Sequence, residues 1–136
     1  MKAKVVYYTK SGNTKKIADA IATEVGCVAV DMDQTITEEL DVLFLGASVY
    51  KFGIDKKVVE FIDSLDSKKF GNVVIFSTSA MSDSGYPKLV DILTKRGFQV
   101  SNQHFYCKGQ FMFANKNRPN QDDVNSAKQF AKSIIK

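Results

Sequence analysis

The stretch VVYYTKSGNTKKIADAIATEV, residues 5–25, holds the first fold-defining signal in the chain. Four apolar residues of β-branched and aromatic type run into Thr9-Lys10-Ser11-Gly12-Asn13-Thr14. Ile17, Ile21 and Val25 then recur at the four-residue spacing of one helix face, and Gly26 supplies a stop. A short buried strand therefore passes directly into a helix. Thr9, Ser11 and Thr14 offer hydroxyl groups at the junction. Gly12 lets the backbone come close to a ligand. The unsatisfied N–H groups of the helix start point at the same spot, which suits an anion the size of one phosphate. These residues also cap helices well, but six such positions in a row exceed what one cap needs. The stretch matches neither G-x-x-x-x-G-K-[ST] nor G-x-G-x-x-G, so a terminal phosphomonoester is expected rather than a nucleoside triphosphate or a dinucleotide.

The pattern continues outward. Residues 27–31 read as a second strand and 42–49 as a third, continuously apolar and so covered on both faces. Val58, Ile62 and Leu65 mark a second helix, and residues 72–77 a fourth strand. Leu89, Val90 and Leu93 mark a third helix ending at Gly97, and residues 98–107 hold a fifth strand. After Pro119, Asn120 is the expected cap of a last helix, with Asp122 and Asp123 in its first turn. Strands alternating with helices argue for one α/β domain over residues 1–136, a doubly wound parallel sheet with helices on both faces. Residues 108–120 form the longest irregular stretch and are expected to be a mobile loop.

Composition narrows the function classes. The 136 residues are 44% hydrophobic and 25% charged, ordinary for a single globular domain. Two cysteines without a C-x-x-C pair, and one histidine, exclude a zinc module or a histidine cluster. The apolar run in MKAKVVYYTK is too short for a signal peptide, and VLFLGASVY is too short for a membrane span. A cytoplasmic protein without a membrane role is expected. The net charge of +4 is mild, without arginine clusters or interleaved aromatics, so nucleic-acid binding is not expected.

With these residues in view, the chain resembles the flavodoxin family. YYTKSGNTKKIA is similar to its phosphate loop, whose pattern is Thr/Ser-x-Ser/Thr-Gly-x-Thr after the first strand. LFLGASVYKFG and VIFSTSAMSDSGYPKL fall where its second and third flavin loops lie. The resemblance covers essentially the whole chain, looks like a short-chain member, and implies strand order 2-1-3-4-5 with flavin mononucleotide (FMN) at the switch point. It implies that Thr9, Ser11, Gly12, Asn13 and Thr14 hold the phosphate, with Lys10 at the variable position. Ser48, Val49, Tyr50, Lys51, Phe52 and Gly53 would border the ring. Tyr50 and Phe52 are the stacking candidates, and Gly53 matches the flexible peptide beside the ring. Ser77, Thr78 and Ser79 would wrap the pyrimidine edge through backbone N–H groups. Tyr86 is either a stacking aromatic or the first residue of the following helix, and Met81 is a softer candidate for that face. In the implied strand order Cys27 and Cys107 lie on opposite edges, roughly 19 Å apart at about 4.8 Å per strand, so both are expected to be free. His104 is expected to be structural or exposed.

One feature departs from the family, whose members are usually acidic: the sequence pI is about 9.0. Lys10, Lys15, Lys16, Lys51, Lys56 and Lys57 fall in the two flavin loops or the turns after them. They are either ordinary surface lysines or a device that raises the local potential and steers an acidic partner. The function expected from the resemblance is a monomeric FMN-binding electron carrier working between a reductase and an acceptor, partners with acidic surfaces. The alternative is an FMN-dependent quinone or protoporphyrinogen-type oxidoreductase on the same scaffold. A receiver-type sensor would need clustered acids at the end of strand one, which VVYYTKSG lacks.

Overall fold

A computed structural model gives the structure of the protein and describes residues 2–48, 53–79, 85–110 and 115–135. The chain runs β1 (Ala3–Tyr8), α1 (Asn13–Val25), β2 (Ala29–Asp31), β3 (Leu40–Ser48), α2 (Lys56–Asp63), a 3-10 turn at Ser67–Lys69, β4 (Phe70–Ser79), α3 (Gly85–Lys95), β5 (Phe105–Lys108) and α4 (Gln121–Ile135). The strands form one sheet in the order β2-β1-β3-β4-β5, and every pairing is parallel. The expected fold class and strand order are both present.

The two faces of the sheet explain the sequence pattern of β3. Leu43, Leu45 and Ala47 face α2 and α3 together with Val58, Ile62, Leu89 and Leu93. Val42 and Phe44 face α1 and α4 with Ile17, Ile21, Ala127 and Ala131. A strand covered on both sides has no polar face to show, hence the unbroken apolar run. Gly46 interrupts it because the Phe76 ring lies over it: a Cβ there would stand 2.1 Å from a ring carbon.

Two strands are shorter than the sequence suggests. The Gly26 and Cys27 N–H groups both bond back to the Ala22 carbonyl at 2.9 Å, so the α1 terminus consumes residues expected in β2. In the 98–107 segment, Val100 bridges Val73 and Ser101 N–H bonds to Val73 O, but regular pairing starts only at Phe105. Between them the Ser101 hydroxyl accepts the Gln103 N–H at 3.1 Å, a local turn that competes with the ladder. The last helix starts as expected: Asn120 Oδ1 accepts the Asp123 N–H at 3.0 Å, and an Asp123 carboxylate oxygen accepts the Asn120 N–H at 2.8 Å. The expected mobile loop is only partly described, because 111–114 lie outside the described residues. Its flanks are bonded together, with Gln110 N–H on Arg118 O at 2.8 Å and Asn117 N–H on Gln110 Oε1 at 2.9 Å. Cys27 and Cys107 are free thiols. No helix among the described residues is long and apolar enough to cross a membrane.

Candidate functional site

The loop between β1 and α1 closes on itself. The Thr9 hydroxyl oxygen accepts the Gly12 N–H at 3.0 Å, and the Ser11 hydroxyl stands 3.4 Å from the Asn13 N–H. Gly12 sits at φ +90°, where a side chain is strained, and the space around it is open: a Cβ would meet nothing within 4 Å. No side chain caps α1. The helix begins with Lys16 N–H on Gly12 O at 3.2 Å, which leaves the earlier first-turn N–H groups without an intrahelical acceptor. Asn13 makes the wall of this opening. Its Nδ2 donates to Gln110 O at 3.0 Å, and it packs so closely on Gly109 that a Cβ on Gly109 would stand 2.7 Å from that nitrogen.

Thr14, expected in the phosphate loop, is placed at the first turn of α1. Its side chain is fully buried, with Oγ1 2.6 Å from Ser48 Oγ and 2.9 Å from Thr78 Oγ1; Ser48 and Thr78 are themselves 3.3 Å apart. Three hydroxyl groups, from the first turn of α1 and the ends of β3 and β4, thus form a closed cluster. Each hydroxyl is both donor and acceptor, so the three satisfy one another without water. Ser48 and Thr78, expected beside the ring, pack beneath the loop at residues 9–14.

The Lys10 ammonium lies 3.3 Å from Asp55 Oδ2. The other oxygen of Asp55 accepts the Lys57 N–H at 2.9 Å, making Asp55 the N-cap of α2. The Lys57 N–H holds the Asp55 carboxyl below its ordinary range; burial opposes this and Lys10 assists it. Asp55 therefore links the phosphate loop to the second loop, a role the sequence reading missed. Its signal is a capping-type residue one place before Lys56-Lys57 and the apolar run of α2.

Gly53 has φ +100°, and a Cβ there would lie 3.5 Å from the Lys88 ammonium. Val49, Tyr50, Lys51 and Phe52 lie outside the described residues, as does Met81. Ser77 to Ser79, expected to wrap the pyrimidine edge through backbone N–H groups, lie at the end of β4. β4 extends through Ser79, with Ser77 in register with Ala47 and Tyr106, and Thr78 with Ser48 and Cys107. Their backbone is in the ladder, and Ser79 O accepts Gly109 N–H at 3.1 Å and Tyr106 O–H at 3.2 Å. The Ser77 hydroxyl is buried without a hydrogen-bond partner.

Tyr86 is the second residue of α3, and this settles its two alternatives in favour of the helix. Its hydroxyl donates to Ser101 O at 3.0 Å, and its ring stacks on His104 with centroids 3.7 Å apart. Ser101 bonds at the level of Val73, toward the amino end of β4 and away from the carboxyl ends of the strands. The ring therefore packs down against the sheet edge, and the lone histidine has an aromatic partner.

Burial first, then the Asp123 carboxylate, pushes the Cys107 thiol up to about 12, and burial raises Cys27 as well. Among the described residues no group of three His, Cys, Asp or Glu side chains is placed to hold a metal ion. A groove of about 370 Å³ lined by Tyr8, Asp31, Met32, Lys57 and Phe61 opens beside the β1 and β2 ends, next to α2. It lies where the chain passes from β2 to β3 without a helix, apart from the open turn at Gly12.

Comparison with known proteins agrees with this architecture. A family model described as a flavodoxin domain matches residues 4–110. An uncharacterized protein of Methanocaldococcus jannaschii is 34% identical over 151 aligned positions, covering 100% of this chain and 99% of that protein. A solved structure of a flavodoxin from the domain Archaea superposes with TM-score 0.80 at 19% identity, covering 98% of this chain and 96% of that one. A flavoprotein in complex with FMN from Lactobacillus acidophilus superposes with TM-score 0.63 at 17% identity, covering 79% and 92% of the two chains. The structural likenesses speak for the fold, and the family match rests on sequence. With its phosphate-loop pattern, parallel sheet and strand order, this chain belongs to the flavodoxin-domain family.

Proposed function

We propose that the chain binds FMN and carries electrons between protein partners, a reductase and an acceptor. The observation that carries this reading is the uncapped start of α1 at Gly12, open above the backbone and walled by Asn13. It stands at the carboxyl end of β1, where open parallel sheets bind ligands. The residues fit a phosphate dianion. Thr9 and Ser11 use their oxygens as acceptors inside the loop, which leaves each O–H proton to donate outward. The first-turn N–H groups of α1 add donors and the positive end of the helix dipole.

Bound there, the flavin supplies one- and two-electron redox chemistry. The protein's own residues bind and orient. The Thr14–Ser48–Thr78 cluster fixes the start of α1 against the ends of β3 and β4. Asn13 fixes the loop against the end of β5. Lys10, paired with Asp55, places a positive charge beside the loop while the carboxylate limits its reach. Among the described residues, Asp55 is engaged as the cap of α2 and burial disfavours the Cys107 thiolate.

The test is an anaerobic reductive titration of the FMN-loaded protein followed by visible absorbance. Uptake of electrons in two separate one-electron steps is expected. A single two-electron step would favour the oxidoreductase reading, and failure to take up flavin would overturn both.

A further inference from the structure

We propose that the lysines around the carboxyl end of the sheet form a docking face for an acidic protein partner, a refinement that rests on the electron-carrier reading above. Lys16, Lys56, Lys57, Lys88, Lys108 and Lys116 are all exposed. Among the described residues, none of the six makes an ion pair. Ion pairs are found at both ends, Lys10 with Asp55 and Lys15 with Asp19 at this one, Lys4 with Glu38 and Arg96 with Asp63 at the other, and Lys2 and Lys68 at the other end are exposed without an ion pair among the described residues. What sets this face apart is the place of its lysines, at the starts of helices.

Helix stability does not explain the arrangement. Lys16 lies in the first turn of α1, Lys56 and Lys57 in that of α2, and Lys88 in that of α3; these turns contain no acidic residue, and the Asp55 carboxylate caps only α2. Cations at a helix start oppose the helix dipole, so each works against its own helix. Helix α4 starts at the same end and follows the usual rule, with Asp122 and Asp123 in its first turn. The exception is confined to the three helices that follow the proposed flavin loops. Helix dipoles and unpaired ammonium groups add there to one positive field, and such a field accelerates encounter with a negatively charged surface.

The chemistry favours protein over nucleic acid. All six groups are lysines, strongly hydrated point charges. Both arginines, the better forks for phosphate, are already bonded to carboxylates, Arg96 to Asp63 and Arg118 to Asp123.

The test is a titration of the 15N-labelled protein with cytochrome b5, an acidic haem protein, and separately with a 20-base-pair DNA duplex, at two salt concentrations. It needs no bound flavin, so its outcome is separate from that of the redox titration. We expect cytochrome b5 to shift resonances in the first turns of α1, α2 and α3, with affinity falling as salt rises. The variant K16E/K56E/K116E should bind cytochrome b5 at least tenfold more weakly, and the control K2E/K68E/K132E within twofold of the parent. Glutamate suits the helix starts at 16 and 56, and Lys116 lies in an exposed turn, so the variant's circular dichroism should be unchanged, which separates loss of binding from unfolding. Equal losses in the two variants, no binding to cytochrome b5 at low salt, or tighter binding of the duplex at the same lysines would each overturn the proposal.

Discussion

Helices α1 and α2 begin at the same end of the sheet, each right after a central strand and a turn, and each carries two lysines at its start. Their first turns are nonetheless finished in opposite ways. Asp55 stands before α2 in extended conformation, φ −62° and ψ 140°, and its carboxylate takes the Lys57 N–H. That end carries its own anion. Gly12 stands before α1 at φ +90° and gives no side chain to the helix. Of the neighbouring hydroxyls, Thr9 takes the Gly12 N–H, Ser11 stands 3.4 Å from the Asn13 N–H, and Thr14 turns down to Ser48 and Thr78. Glycine at this position costs only a few tenths of a kcal/mol relative to a good capping residue. Leaving α1 open is thus inexpensive for the fold, and it keeps the positive end of the helix available to the proposed external anion. The difference teaches that an anion site need not be built from charged side chains; it can be made by withholding a cap.

Closing the open end should have the largest effect. Gly12→Val places a β-branched side chain at positive φ and covers the first-turn N–H groups. We expect a loss of about 1–2 kcal/mol in stability and a fall in FMN affinity of roughly 100-fold, or about 2.7 kcal/mol. Urea unfolding and flavin-fluorescence titration measure the two. Asp55→Ala should leave FMN affinity within a few-fold, because α2 is not the anion site.

Thr14→Val comes next. It leaves the Ser48 and Thr78 hydroxyls buried with one partner fewer, at a cost of about 1–3 kcal/mol. The loss should appear in urea unfolding of the flavin-free protein. Full stability with weakened FMN binding would instead make Thr14 a direct ligand.

At the capped end, Asp55→Ala should cost about 1 kcal/mol in thermal or urea unfolding, and Asp55→Asn, which keeps a capping oxygen, less. The carboxyl of Asp55 is held low in the folded state by the Lys57 N–H and by Lys10, against burial. Its ionisation therefore stabilises the fold above the ordinary carboxylate pKa, and this contribution is lost as pH falls through the lower folded value. Melting temperatures between pH 2 and 6 should accordingly fall less steeply in Asp55→Asn. The smallest effect is expected for Lys10→Gln. Its ion pair is largely exposed on the lysine side, and exposed pairs contribute about 0–1 kcal/mol. A larger loss in urea unfolding would mean that Lys10 braces the loop.

The open end was legible in the sequence and the capped end was not. Residues 5–25 spell out strand, turn and helix because local propensity, glycine placement and periodicity agree there. The cap at Asn120 and Asp123 was readable for the same reason, since its partners lie three residues apart. Thr14 was not readable, because whether its hydroxyl meets a ligand or Ser48 and Thr78 depends on three distant segments arriving in register. Asp55 was missed because a single capping residue is a weak signal until Lys10 is seen beside it. Tyr86 remained two-sided because the start of α3 decides which way its ring turns, and the contact with Ser101 and His104 is made across the 97–104 connection.

The most direct test of the open-helix account is the relative affinity of the flavin-free protein for FMN and for riboflavin, which lacks only the phosphate. Both are read by flavin-fluorescence titration in the same buffer. The account predicts that FMN binds at least about 100-fold more tightly, the equivalent of about 2.7 kcal/mol, and that Gly12→Val removes most of that advantage. Equal affinities for the two flavins, or an advantage that survives Gly12→Val, would contradict it.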